Sequence, residues 1–206
     1  MGNLSYMEMR EEMVVTARLI WERRLTNASG GNFAVRVEEN RILISPSMMS
    51  EEKHCMVNPE DFLLIDYEEN ILEGSGKLSR ESLMHVLILQ NFKEIGCTIH
   101  AHPFYCMPYV AKAKPIPSMT EATMGRGDVG CIKWTKAYTG ELAQNIYNYF
   151  EEHRELAVKN PIGVIMPLHG VVYREAIFTR RSACWSVLSA MLIAPLFKIL
   201  SRQKSR

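Results

Sequence analysis

Apolar residues return at helical spacing near the start of the chain, with Met9, Met13, Val14, Ala17, Ile20 and Trp21 on one face. Ser5 followed by Glu8 matches a capping box, so this pattern predicts an amphipathic helix over 5–26, ending before Asn27. The turn residues Ser29-Gly30-Gly31-Asn32 follow. Runs 33–37 and 41–45 then read as two strands of a hairpin joined by Glu38-Glu39-Asn40. Residues 62–67 resemble a further strand. Gly74-Ser75-Gly76 opens a flexible loop before a helix that starts near Ser79 and carries Leu83, Val86, Leu87 and Gln90.

The second half alternates in the same way. Residues 97–101 form a short apolar strand ending at a histidine pair, and Pro103 suits the first turn of a following helix. A strand is expected over 130–134 and a helix from Thr139 through Glu141, Leu142, Ile146 and Tyr149. Residues 163–168 read as a buried strand that continues through 171–173 past His169-Gly170. The last helix, about 176–200, is strongly apolar and has Pro195 as its kink. Strands and helices mix without a strict βα repeat. The expected fold is therefore an α/β/α sandwich, with a mostly antiparallel central sheet covered by helices on both faces.

Composition narrows the classes. At 206 residues and 47% hydrophobic content the chain fits one domain, 1–206, with its core at about 8–195. Lysine plus arginine total 24 against 23 acidic residues, which leaves no broad basic field for nucleic acid or a membrane. The basic stretch 198–206 reads most simply as a solvated tail. Charges interleave the first twenty residues, so neither a signal peptide nor a membrane span is expected there, and a cytoplasmic protein is. Five cysteines, an odd set with no C-x-x-C pair, argue against a disulfide framework or a thiolate zinc site. They read as small buried residues, and the thirteen methionines as core fillers.

Candidate chemistry centres on histidine. His100 and His102 are two apart, which on a strand turns both imidazoles to one face, able to share a metal. His169 ends an apolar run and precedes Gly170, where backbone can pass close to a ligand. Three neutral imidazoles leave coordination positions open, as a catalytic metal requires and a structural one does not. Weaker signals surround this set. Gly31 and Asn32 can present amides to an anion, and Ser45-Pro46-Ser47 offers hydroxyls, although such turns are also ordinary hairpin chemistry. Ser79-Arg80-Glu81 opens a helix whose free N–H groups favour phosphate, while Glu81 alone also fits a first-turn acidic residue. His85 lies four residues after Glu81, placed to bond to it or to pack; His54 and His153 read as surface residues.

In order along the chain, Ser29-Gly30-Gly31-Asn32, Ile44-Ser45-Pro46-Ser47, Ser79-Arg80-Glu81, His100-Ala101-His102 and Leu168-His169-Gly170 resemble the class II aldolase and adducin N-terminal family. The resemblance runs from about residue 8 to 195. It implies that His100, His102 and His169 hold one divalent metal per subunit, usually zinc and in some members manganese or cobalt. Gly31, Asn32, Ser45, Ser47, Ser79 and Arg80 would form the substrate and phosphate site, with Glu81 as the carboxylate that moves protons. The implied activity is cleavage of a small ketose 1-phosphate to dihydroxyacetone phosphate and an aldehyde through a metal-stabilised enediolate. Dehydration, epimerisation or decarboxylation on the same metal are the alternatives, and a non-catalytic adducin-like interaction domain is the alternative of another class. A homotetramer with active sites between subunits is also implied. Two departures stand out: Met48 replaces a frequent glycine, and Arg80 replaces a second serine. A tyrosine that some aldolases lend from a neighbouring subunit is replaced near Thr120-Glu121, which makes Glu121 the candidate second acid or base.

Overall fold

The computed structural model describes residues 4–119, 121–124 and 127–175; the helix expected over 176–200 and the basic tail lie outside these. Its strands are β1 (Asn32–Glu38), β2 (Arg41–Ile44), β3 (Leu63–Ile65), β4 (Ile71–Glu73), β5 (Cys97–Ala101), β6 (Gly130–Cys131), β7 (Ile162–Met166) and β8 (Gly170–Glu175). They form one sheet in the order β4-β3-β2-β1-β5-β8-β7-β6. Every pairing is antiparallel except β6 with β7. The helices are α1 (Met7–Glu22), α2 (Ser82–Asn91), α3 (Met107–Ala111), α4 (Glu121–Met124), α5 (Gly140–Glu152) and α6 (Arg154–Lys159). None among the described residues is long and apolar enough to cross a membrane.

Strand alternation divides the interior into two layers. Phe33, Val35, Cys97, Ile99 and Tyr173 face α1 and α3, where they meet Met13, Ala17, Ile20 and Val110. Ala34, Val164 and Val172 face the other way, against Val86, Ile88 and Leu89 of α2 and Ile146 and Phe150 of α5. The sandwich expected from the sequence is thus present. Because His100 and Asn32 are direct partners across β5 and β1, both look toward the α2 layer. Arg36 Nη1 donates to Leu89 O at 2.7 Å and Nη2 to Phe92 O at 2.8 Å, so a side chain of β1 satisfies the open carbonyls at the end of α2.

Several local expectations are corrected. The capping box at Ser5 is not made: Tyr6 precedes the helix in a left-handed conformation, and Ser5 N–H donates instead to the Glu73 carboxylate at 3.1 Å. Glu73 is held by Arg10, which is completely buried and also donates to Phe62 O at 2.6 Å. Pro103 stands before α3 rather than inside it, its carbonyl accepting from Cys106 N–H and Met107 N–H. The strand over 130–134 shortens to two residues, and the helix expected near Ser79 begins at Ser82, with Ser79–Glu81 as its lead-in. The largest correction concerns residues 162–175, which are two antiparallel strands rather than one. His169 sits in the turn between them.

Candidate metal centre and anion cradle

Two separate segments deliver the three imidazoles. His100 lies on β5 and His102 one residue past its end, while the β7–β8 turn carries His169. Val110 O of α3 accepts the Leu168 N–H at 3.1 Å, which pins the tip of that turn. The ring centroids are 4.9 Å apart for His100 with His102, 4.9 Å for His100 with His169 and 5.5 Å for His102 with His169. One nitrogen from each lies within 4.8 Å of the others.

Glycine makes this convergence possible. A Cβ on Gly170 would stand 2.6 Å from His102 Cδ2 and 2.7 Å from His100 Cε1, and one on Gly30 would stand 2.6 Å from His102 Cε1. The rings therefore pack against bare backbone. Thr26 joins the same neighbourhood: its hydroxyl donates to Gly30 O and accepts the His102 N–H at 3.3 Å.

Neighbouring groups orient the rings. His100 Nδ1 is 3.2 Å from Val171 O and must donate to it, which leaves the Nε2 lone pair facing the cluster. Ser29 Oγ sits 3.1 Å from His102 Nδ1. Burial lowers the pKa of all three rings. His100 falls to about 4, and His102 to about 3 with help from the charges of the other two. His169 falls to about 4, by burial and the charge of His100. All three are neutral at pH 7, the protonation state in which imidazole binds a metal.

Glu81 is 8% exposed and enters between them. Its Oε2 lies 3.3 Å from His100 Nε2 and its Oε1 3.3 Å from His169 Nε2. His100 Nε2, His102 Nε2, His169 Nδ1 and Glu81 Oε1 are buried without a hydrogen-bond partner. Buried polar atoms are normally satisfied, so the open Nε2 atoms of His100 and His102, together with Glu81 Oε1 and the His169 Nε2 that lies 3.3 Å from it, fit a divalent cation.

A solvent-open cleft of about 380 Å³ adjoins the cluster. Gly30, Gly31, Asn32, Ser47, Ser79, Arg80, Glu81 and His169 all line it, so most residues singled out in the sequence meet there. Asn32 Nδ2 donates to Glu81 Oε2 at 3.0 Å and to Ser79 Oγ at 3.2 Å. Arg80 lies over the Tyr138 ring with its guanidinium carbon 3.8 Å from the centroid. Met48, where the family often has glycine, lines the cleft at φ +59, in the left-handed region glycine enters freely.

Two residues stand apart from the cleft. Ser45 is fully buried, and its hydroxyl accepts the Phe33 N–H at 3.0 Å. Glu121 is exposed on α4 and does not line the cleft. His85 bonds not to Glu81 but to Thr98 and Asn32. His54 and His153 are exposed, against Trp21 and Tyr149. Cys55, Cys97 and Cys106 are buried free thiols and Cys131 is half-buried, while Cys184 lies outside the described residues. Thr26, Glu51 and Tyr138 join the site without any motif that marked them.

Comparison with known proteins identifies the family and the fold. The family model of the class II aldolase and adducin N-terminal domain matches residues 11–176. An L-fuculose phosphate aldolase of Methanococcus maripaludis is 29% identical over 78% of this chain and 81% of its own. A 5-deoxy-D-ribulose 1-phosphate aldolase of Bacillus thuringiensis is 24% identical over 73% of this chain and 70% of its own. The solved L-fuculose-1-phosphate aldolase of Thermus thermophilus superposes with a TM-score of 0.75 at 19% identity, covering 96% of this chain and 95% of that one, and so shares the fold. Other relatives bear the names of a decarboxylase, a dehydratase and epimerases of sugar phosphates. The chain belongs to the class II aldolase and adducin N-terminal family.

Proposed function

We propose that the protein is a metal-dependent aldolase that splits a small ketose 1-phosphate into dihydroxyacetone phosphate and an aldehyde. The observation that carries this reading is the cluster of three imidazoles, each with a ring nitrogen within 4.8 Å of the others, and Glu81 Oε1 3.3 Å from His169 Nε2, beside an open cleft. His100, His102 and His169 would hold the ion, with zinc first because neutral imidazole suits it, and with manganese or cobalt as the alternatives that the family resemblance supplies. A bound divalent ion supplies Lewis acidity for negative charge that develops on substrate oxygens.

The chain's own residues supply binding and proton transfer. Asn32, Ser79 and the Gly30–Gly31 backbone form the cradle for a phosphate, with Ser47 opposite and Arg80 adding positive charge at the rim. Glu81 is fixed through Oε2 by Asn32, which leaves Oε1 to take up the hydroxyl proton released as the carbon–carbon bond breaks and to return it to the substrate carbon that loses its bond. A cytoplasmic homotetramer completes the reading, on the strength of the family resemblance and the unpaired cysteines. Glu121 enters the chemistry only if a neighbouring subunit presents it.

Incubating the metal-loaded protein with L-fuculose 1-phosphate and 5-deoxy-ribulose 1-phosphate, with dihydroxyacetone phosphate followed by coupled reduction, tests the assignment. Equal yields of dihydroxyacetone phosphate and aldehyde are expected. Loss of water or inversion at carbon without cleavage, or carbon dioxide release from a 3-oxo acid phosphate offered beside them, would instead assign the dehydratase, epimerase or decarboxylase chemistry named among the relatives. A complete lack of turnover on every such sugar phosphate, with metal bound, would favour the adducin-like interaction domain.

A further inference from the structure

Behind the cleft a second histidine, completely buried and outside the triad, takes part in an unbroken chain of polar contacts. His85 Nδ1 lies 2.6 Å from Thr98 Oγ1, and His85 Nε2 lies 2.5 Å from Asn32 Oδ1. Asn32 Nδ2 then donates to Glu81 Oε2 at 3.0 Å and to Ser79 Oγ at 3.2 Å, and Ser79 Oγ also accepts the Glu81 N–H at 3.2 Å. Thr98, His85, Asn32 and Glu81 are each less than a tenth exposed. Water therefore offers little alternative to these partners.

The chemistry of the groups fixes the direction of every bond. A carboxylate only accepts, so the NH2 of Asn32 must face Glu81 and its oxygen must face His85. A facing oxygen requires a proton on His85 Nε2. A neutral ring carrying that proton has its lone pair on Nδ1, and Thr98 must donate into it. Only one tautomer of His85 and one amide orientation of Asn32 satisfy all four residues.

We infer that His85 is a positioning residue: by holding Asn32 in one orientation it sets both the amide in the anion cradle and the free oxygen of Glu81 beside the triad. This rests on the proposed reading of Asn32 as an anion ligand and Glu81 as the proton carrier. If His85 loses the Nε2 proton donor, the Asn32 amide is free to turn. Turning it puts an oxygen against the Glu81 carboxylate and withdraws the N–H that holds Ser79 Oγ in the cradle. Anion binding and turnover then suffer together, while the metal ligands keep their own contacts to Val171 and Ser29.

The test uses the full chain in three forms, wild type, His85→Leu and His85→Gln. The glutamine amide nitrogen reaches the place of Nε2 and can donate, whereas leucine fills the space without a donor. Affinity for inorganic phosphate is measured by calorimetry on the metal-free protein, and kcat and KM on the metal-loaded one. Leucine is expected to weaken phosphate binding about tenfold, the worth of one hydrogen bond to a charged group. It should also raise KM and lower kcat at unchanged metal content, and glutamine should restore most of both. Phosphate affinity that is the same in all three forms, or a glutamine variant no better than leucine, overturns the inference. A wild type that binds no inorganic phosphate overturns the cradle reading and this inference with it.

A measurement that needs no folded His85 variant accompanies these. Nitrogen-15 chemical shifts of the His85 ring in the metal-free wild type should report the Nε2–H tautomer, and the Nδ1–H tautomer would overturn the inference. Thr98→Val, close in shape to the original, should let that tautomer shift and move phosphate affinity in the direction of the leucine variant.

Discussion

His100 comes from a central strand and His169 from a hairpin tip pinned to α3, whereas Ser47, Ser79 and Arg80 come from the loops that rim the same cleft. The imidazoles are neutral, mostly buried and packed on bare glycine backbone. The rim is half-buried or exposed, and Arg80 rests on an aromatic ring rather than on a fixed partner. The difference separates two tasks: the sheet imposes geometry on a centre that needs it, while the loops carry adjustable contacts that choose the anion. Substitutions in the sheet-borne part should therefore abolish function, and those on the rim should only grade it.

The strongest way to break this comparison is to disturb the triad. His169→Ala should empty the metal centre and reduce turnover about a thousandfold, since Lewis acid catalysis supplies several kcal/mol. Gly170→Ala should do nearly the same without removing a ligand, because its Cβ would collide with two of the rings. Metal analysis beside the kinetics checks both, and a Gly170→Ala enzyme with full metal and full rate would show that the backbone approach is not needed. Glu81→Gln follows in size. It keeps the shape and removes the proton carrier, so kcat should fall about a hundredfold with metal retained. A rise in KM with kcat unchanged would place Glu81 in binding instead.

The sheet-borne part also predicts a pH response in the metal-free protein. Burial lowers the pKa of His85 to about 3 and of His100 to about 4, whereas unfolded imidazole titrates near 6.5. The unfolded chain therefore takes up protons first as the pH falls. The stability these rings contribute is intact above pH 6.5 and drains as the pH drops toward 4. Between pH 7.5 and 5.5 each of these rings should cost about 1.4 kcal/mol in urea unfolding, as should His102 and His169, whose pKa values burial also lowers, and His85→Gln should remove its own share. An unfolding midpoint that does not move would mean these rings are not buried neutral.

The same division explains what the sequence disclosed. His100-x-His102 was legible because strand period alone aligns the rings, and His169 because a glycine follows it. The turn that carries His169 was not legible, since apolar residues run almost unbroken from Ile162 to Val172. Pro167 sits at the second position of the turn that His169 N–H closes onto Met166 O, but the left-handed φ of +60 falls on Leu168, where the pattern calls for glycine, and that weakened the signal. Ser5 matched a helix cap by local spacing but is taken by Glu73, 68 residues away. His85 showed the same bias. Its spacing from Glu81 pointed to a local bond, and its partners instead lie on β5 and β1, where only the folded sheet brings them. Nothing in residue order reveals a buried arginine such as Arg10, since its acceptors are carbonyls of a distant loop.

Two serines separated by one residue sharpen the comparison further. Ser47 lines the cleft, and Ser47→Ala should raise KM about tenfold, the value of one hydrogen bond to a charged group. Ser45 supports the sheet instead. Ser45→Ala removes that buried hydrogen bond and should cost about 1–3 kcal/mol of stability with KM unchanged. Thermal unfolding beside KM separates them, and a raised KM in the Ser45 variant would return that hydroxyl to the anion site.

The smallest effect belongs to Arg80, where the loop-built character of the rim is most exposed to test. Its guanidinium is solvent-facing and lies 3.8 Å above the Tyr138 ring, so an arriving anion must draw it from a contact worth roughly 0.5–1 kcal/mol. What remains for the anion is a screened attraction between exposed charges. Arg80→Ala should accordingly raise KM about fivefold at low salt, and the gap between variant and wild type should narrow as ionic strength rises, because screening removes what the variant lacks. Tyr138→Leu frees the guanidinium and should lower KM slightly if the ring competes for it. A loss of kcat in Arg80→Ala that salt does not touch would place Arg80 among the groups of the reacting centre, and the line between sheet-borne chemistry and loop-borne selection would have to be redrawn through α2.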